Sequence, residues 1–205
     1  MKPRLRIMAL CLALLIFLPA WPGQAAQGPL DALVLAQKGI EARDPDLFQQ
    51  ALDLNAVLAH GLDEAANALR GQARNGNLDP VLAMTVLGLV DASPQNREFL
   101  ETLLVSEITT FINSGISSGS FAGNGTNRSG ASPLFKGISR ERKEILPGKV
   151  LSRKGDRATV SATFRDHGAG SYPLRLAVEE VGGRWQIKRI LNVSELIREA
   201  LRHAR

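Results

Sequence analysis

Arg157-Ala-Thr-Val-Ser-Ala-Thr-Phe-Arg-Asp166 is the stretch that decides the fold class. Ala158, Val160, Ala162 and Phe164 fall on one side of an extended chain, and Thr159, Ser161, Thr163 and Arg165 fall on the other. A two-residue period of this kind describes a strand with one face in a core and one in water. Turn sequences bracket it: Lys154-Gly155-Asp156 before, His167-Gly-Ala-Gly-Ser171 after. Tyr172 to Val181 then alternates again, with Leu174, Leu176 and Val178 inward. Gly182-Gly183 turns the chain into Arg184 to Asn192, where Trp185 and Ile187 share a face. Upstream, Lys143 to Ser152 reads as a strand bent at Pro147-Gly148. Connections this short join antiparallel neighbours, so the last third is expected to be a meander of about four strands. Ser194 is placed to cap a closing helix carrying Leu196, Ile197 and Leu201.

Toward the N-terminus the hydrophobic period changes to that of a helix. Leu30, Leu33, Val34 and Ile40 share one helical face. Asp44-Pro45, Asp79-Pro80 and Ser93-Pro94 each place a capping side chain before a proline at the first helical position. The helix after Asp44 carries Leu47, Phe48, Ala51 and Leu52. Asn55 to Leu69 reads as short helical pieces broken near Gly61, and the helix after Asp79 runs to about Val90. The helix after Ser93 carries Phe99, Leu100, Leu103, Leu104, Ile108, Phe111 and Ile112, a stripe expected to pack into the core. Helices first and an antiparallel sheet last is an α+β layout, with N-terminal helices packed on a curled C-terminal sheet. Between the halves, residues 114–133 are rich in Gly, Ser and Asn and are expected to be a flexible loop. They lack the Lys-Ser/Thr pair of a phosphate loop. Asn124, Asn127 and Asn192 each open a glycosylation-type triplet.

The chain has 205 residues, 44% hydrophobic and 22% charged, which suits one soluble globular domain and excludes collagen-like, disulfide-rich and wholly disordered classes. Residues 1–25 read as a secretory signal: Lys2, Arg4 and Arg6, an apolar run from Ile7 to Leu18, then Gly23 and Ala25 before the cut. The apolar run is too short and too interrupted by Pro19 and Pro22 for a spanning helix. Cys11 lies mid-run and is not placed for lipid attachment. The expected mature chain, residues 26–205, is exported: periplasmic in a Gram-negative bacterium, otherwise secreted. It holds no cysteine, so no disulfide or thiolate chemistry. The formal charge of +5 loses three leader cations. What remains is polarised: residues 26–101 hold 5 basic and 11 acidic side chains, and residues 102–205 hold 17 and 9. The two halves either complement each other or present a basic surface, with Arg165, Arg175, Lys188 and Arg189 as candidates for peripheral contact with an acidic partner. Nucleic acid is disfavoured by the small mature charge and the sparse aromatics.

Two segments carry a family resemblance. Ile40-Glu-Ala-Arg-Asp44 with Phe48 and Leu52-Asp53-Leu54 resembles the paired opening helices of exported bacterial domains with the nuclear-transport-factor-2-like (cystatin-like cone) fold. Gly182-Gly-Arg-Trp-Gln-Ile-Lys-Arg-Ile-Leu-Asn192 resembles their terminal strand. The resemblance implies a sheet curled around helices and a conical pocket that some members use for isomerase, cyclase or dehydratase chemistry and others only for binding. Exported phospholipid-shuttle proteins similarly combine helices with a late meander.

Few residues offer chemistry. Asp53 is a pocket acid or a helix cap. His60, His167, His203 and Tyr172 stand in no motif, and Gly115-Ile-Ser117-Ser-Gly119 matches the letters of a nucleophile elbow without the preceding strand. Asp63-Glu64 is better read as the charged start of a helical turn than as a joint site. Dispersed histidines and no mature cysteine give no metal site, and no cofactor is expected. The function that remains is a non-enzymatic exported binding or accessory domain for a small apolar ligand or a protein partner. A lipid carrier and a small isomerase or hydrolase are the alternatives. The pocket candidates are Phe48, Leu52, Val160, Phe164, Leu176, Trp185 and Ile187.

Overall fold

The computed structural model describes residues 28–78, 80–124 and 141–203. The expected leader and the 125–133 part of the glycine-rich loop, with its Asn127 triplet, lie outside them. Five helices come first: α1 Asp31–Ala42, α2 Pro45–Ala51, α3 Leu54–Arg74, α4 Pro80–Asp91 and α5 Pro94–Ser117. Four strands follow, β1 Lys143–Lys154, β2 Arg157–Asp166, β3 Gly170–Val181 and β4 Arg184–Ile190, and then α6 Val193–His203. The layout is the α+β one expected.

Local sequence explains most helix starts. Asp44 accepts from Leu47 N at 2.9 Å with Pro45 at the first position, and Ser93 accepts from Asn96 N before Pro94. Asp53 accepts from Ala56 N at 3.0 Å and so caps α3. The expected break at Gly61 does not occur, because α3 runs unbroken for 21 residues. A single helical glycine costs about 1 kcal/mol, and the packing of Val57 and Ala66 outweighs it. The expected start of α6 also shifts. Asn192, not Ser194, holds it, accepting from Glu195 N and Leu196 N through its backbone oxygen. The Asn192 side chain is buried and already used, accepting from Arg175 N and donating to Pro173 O, so its triplet is not presented as an acceptor.

The sheet runs β1-β2-β3-β4, antiparallel throughout. Val160 pairs with Val150 and Leu176, and Val178 with Ile187, so the alternating rows line up on one face. α1 and the start of α3 cover that face through Ala32, Leu33 and Val57. Gln37 accepts from Ile145 N at 2.7 Å and seats α1 on β1. A second cluster gathers Ala36, Ile40, Phe48, Ala51, Ile116 and Phe121. Here α1 and α2 approach closely: a Cβ on Gly39 would stand 2.6 Å from Phe48 N. The glycine-rich stretch starts as helix and then packs. Ile116, Ser120 and Phe121 are buried, and the turns at Gly119 and Gly123 take the positive φ that glycine allows. Phe121 O accepts from Lys143 N at 2.8 Å, and Lys143 Nζ meets Asp166 at 2.6 Å in a buried pair, which ties this turn to β1 and β2. A third, smaller cluster of Ala66, Leu89 and Leu104 joins α3, α4 and α5.

Candidate functional site

The seven pocket candidates divide between the clusters. Val160, Leu176, Trp185 and Ile187 lie in the sheet cluster against Ala32, Leu33 and Val57, and Phe48 lies in the second cluster. Leu52 touches both, and Phe164 is half-buried between Ile145 and Tyr172 in the strand register. Val160 is 0% exposed and Leu176 2%, so α1 fills the space under this part of the sheet. Trp185 also borders a cleft of about 410 Å³ between α1 and β4, with Val34, Leu35, Lys38 and Arg184. Leu52 borders another of about 360 Å³ with Asp53, Asn55, Thr109 and Gln186. Both are mixed in character rather than apolar.

The four basic candidates all have partners. Arg165 pairs with Glu144 at 3.1 Å, Arg175 with Glu195 at 2.6 Å and Lys188 with Asp53 at 2.9 Å, while Arg189 reaches the His60 ring at 3.1 Å. Glu144 also receives Arg142 and His167. The His167 hydrogen bond, then the two arginines, hold its carboxyl below the usual glutamate range. Lys188–Asp53 joins the acidic N-terminal half to the basic C-terminal half, while Arg165–Glu144 and Arg175–Glu195 lie within the basic half.

The groups weighed for catalysis do not converge. Asp53 caps α3 and is held below the ordinary aspartate value, first by the Lys188 hydrogen bond and then by Ala56 N. His60 is exposed beside Arg189, and Tyr172 donates to Ala169 O in the turn before β3. Ser117 ends α5 and its hydroxyl donates to Ser114 O. Among the described residues, no group of three His, Cys, Asp or Glu side chains could hold a metal ion, and no helix is long and apolar enough to cross a membrane.

The feature missed in the sequence lies on α4 and α5. Pro80 to Val90 contains no charged residue, and Thr85 is its one polar side chain. A helix apolar on every side belongs in a core. Yet only Val86 and Leu89 of α4 are buried, while Met84 is 76% and Val81 47% exposed. On α5 the stripe expected to be core is split. Leu100 and Leu104 face α4 and α3, but Phe99 is 68% and Leu103 47% exposed. A Cβ on Gly88 would meet Leu100 Cδ1 at 3.0 Å, which marks the seam between the helices. The two-residue connection Ala92-Ser93 makes them antiparallel. Met84 is one turn before Gly88 and Leu103 one turn after Leu100, so both lie at the same level along the seam. The uncharged run was legible in the sequence. What the sequence hid was that α3 and α5 would cover only one side of it.

No family model matches the chain, and no characterised protein matches it at significant similarity. Among solved structures, the chain is similar to the phospholipid-binding protein from Ralstonia solanacearum, determined in complex with a phospholipid. The identity is 12%, the match covers 88% of this chain and 99% of that one, and the TM-score is 0.34. A likeness of that size decides neither architecture nor ligand for this chain.

Proposed function

We propose that this protein is a non-enzymatic binding protein for the hydrocarbon chains of an amphiphile, acting as a lipid carrier outside the cytoplasm. The observation that carries the reading is the uncovered apolar face of α4 and α5. Two of its hydroxyls bond their own helix: Thr85 donates to Val81 O at 2.9 Å and Thr102 to Glu98 O at 2.9 Å. Export rests on the three-part leader, and a variant of the cone fold rests on the order of helices and meander. An isomerase reading loses its support, because Asp53, His60 and Tyr172 serve as a cap, an exposed arginine partner and a turn clasp. The test is organic extraction of the purified protein followed by mass spectrometry. Stoichiometric co-purified lipid is expected. Protein that is lipid-free and also fails to take up a fluorescent fatty acid refutes the reading.

A further inference from the structure

The β1–β2 hairpin carries a second surface, distinct from the α4–α5 face and going beyond the carrier reading. Residues 149–157 include Lys149, Arg153, Lys154 and Arg157 against one acid, Asp156. Lys149 and Lys154 are exposed, and their side chains have no partner among the described residues. Arg153 lies over the Trp185 ring at 5.0 Å, with its Nε donating to Gly155 O, so its guanidinium is held in place while its charge stays uncompensated. Arg157 pairs with Glu179 at 3.2 Å yet remains 75% exposed. Arg153, Lys154, Arg157 and Lys188 border one hollow of about 260 Å³, in which Glu179 is the one carboxylate. Beside these cations, Val150 is 41% and Leu151 44% exposed on β1.

We propose that this hairpin docks the protein on an anionic lipid bilayer, with headgroup phosphates met by Lys149, Arg153 and Lys154 and the aliphatic side chains of β1 resting at the interface. Cations interleaved with exposed aliphatic groups match a surface that is negative at the headgroups and apolar beneath them. Of the cations bordering the hollow, Lys188 is paired with Asp53 and Arg157 with Glu179, which leaves Arg153 and Lys154 for the headgroups. Addition of a strand from another protein fits poorly. β1 is an edge strand, but Pro147 lacks an N–H and the register shifts on both sides of Val150.

The experiment is vesicle co-sedimentation of the lipid-stripped mature chain, with phosphatidylcholine vesicles alone or containing phosphatidylglycerol. Stripping the protein separates this result from the carrier reading, which is decided by extraction. Binding is expected only with phosphatidylglycerol, weakening as salt rises. Lys149→Gln with Lys154→Gln is expected to weaken it about 25-fold, from about fivefold per cation near such a surface. Both lysines are exposed, so the variant should keep the native circular dichroism, and Lys38→Glu should leave binding unchanged. Equal binding to neutral vesicles overturns the proposal, as does binding indifferent to the double variant. Salt-sensitive self-association without vesicles, abolished by the same variant, also overturns it and makes the acidic half of a second copy the partner.

Discussion

The carrier reading is tested most sharply by replacing Met84, Phe99 and Leu103 together with Gln. Their exposures of 76%, 68% and 47% amount to nearly two side chains available to a ligand. Full burial of a large apolar side chain is worth about 1.5–3 kcal/mol, so complete coverage would yield roughly 3–6 kcal/mol. Ordering of ligand and helix offsets part of this, and if about half survives, about 1.5–3 kcal/mol remains. That corresponds to about 10- to 150-fold in Kd. Gln matches Met and Leu in helix propensity, and exposed replacements of this kind shift stability by about 0.5 kcal/mol or less each. The assay is displacement of a fluorescent fatty acid, run beside urea unfolding of the same samples. Loss of affinity with the unfolding midpoint nearly unchanged is the expected pair of results. Unchanged affinity refutes the assignment of the ligand to this face. A collapse of stability refutes the premise beneath it, since it would mean that the three side chains are core.

Four further outcomes follow from the packing. Leu33→Ala, at a fully buried contact between α1 and the sheet, should cost about 2–5 kcal/mol by chemical denaturation. Gly39→Ala should cost about 1–3 kcal/mol, because the new methyl meets the backbone of Phe48 and not a movable side chain. Lys143→Met should cost about 3–5 kcal/mol by stranding Asp166 in the buried pair, and adding Asp166→Leu should recover much of it; additive losses would show that the pair is not coupled. Lys188→Met should raise the Asp53 carboxyl toward its ordinary value in an NMR titration. Because that carboxyl is depressed in the folded protein, the stability it contributes is present above about pH 3.9 and is lost as pH falls through the depressed value. The difference between Lys188→Met and the parent should therefore shrink in acid; a gap that widens there contradicts the pairing.

The strands were legible because their signal is local. A period of two, with glycine turns at Gly155 and Gly182-Gly183, places β2, β3 and β4 to within about two residues, and Pro147-Gly148 marked the irregularity in β1. Helix starts at Asp44, Asp53 and Ser93 were equally local, each a side chain bonded to an amide three residues ahead. What failed was decided by packing between distant segments. Gly61 stays helical because α3 is held along its length, and the glycine-rich stretch orders through Phe121 because that ring fits between Phe111 and Lys143. The stripe on α5 is two rows wide, and its burial depends on how much of it α3 and α4 reach. No property of residues 94–117 alone states that Leu104 is covered while Phe99 is not.

The basic candidates are paired for a related reason. Arg165, Arg175 and Lys188 were singled out by position on a strand, yet each sits opposite a carboxylate that only the folded register brings near. Regular sheet interior supplies cross-strand partners, so a cation there tends to be neutralised. A hairpin end has fewer neighbours, and Lys154 falls there, while Lys149 falls at the register shift of β1, where no residue of β2 is registered opposite it. Lys149 and Lys154 are exposed beside the exposed Val150 and Leu151. An apolar helix face and a cationic hairpin with aliphatic neighbours are separate features, but one class of molecule, the anionic amphiphile, satisfies both.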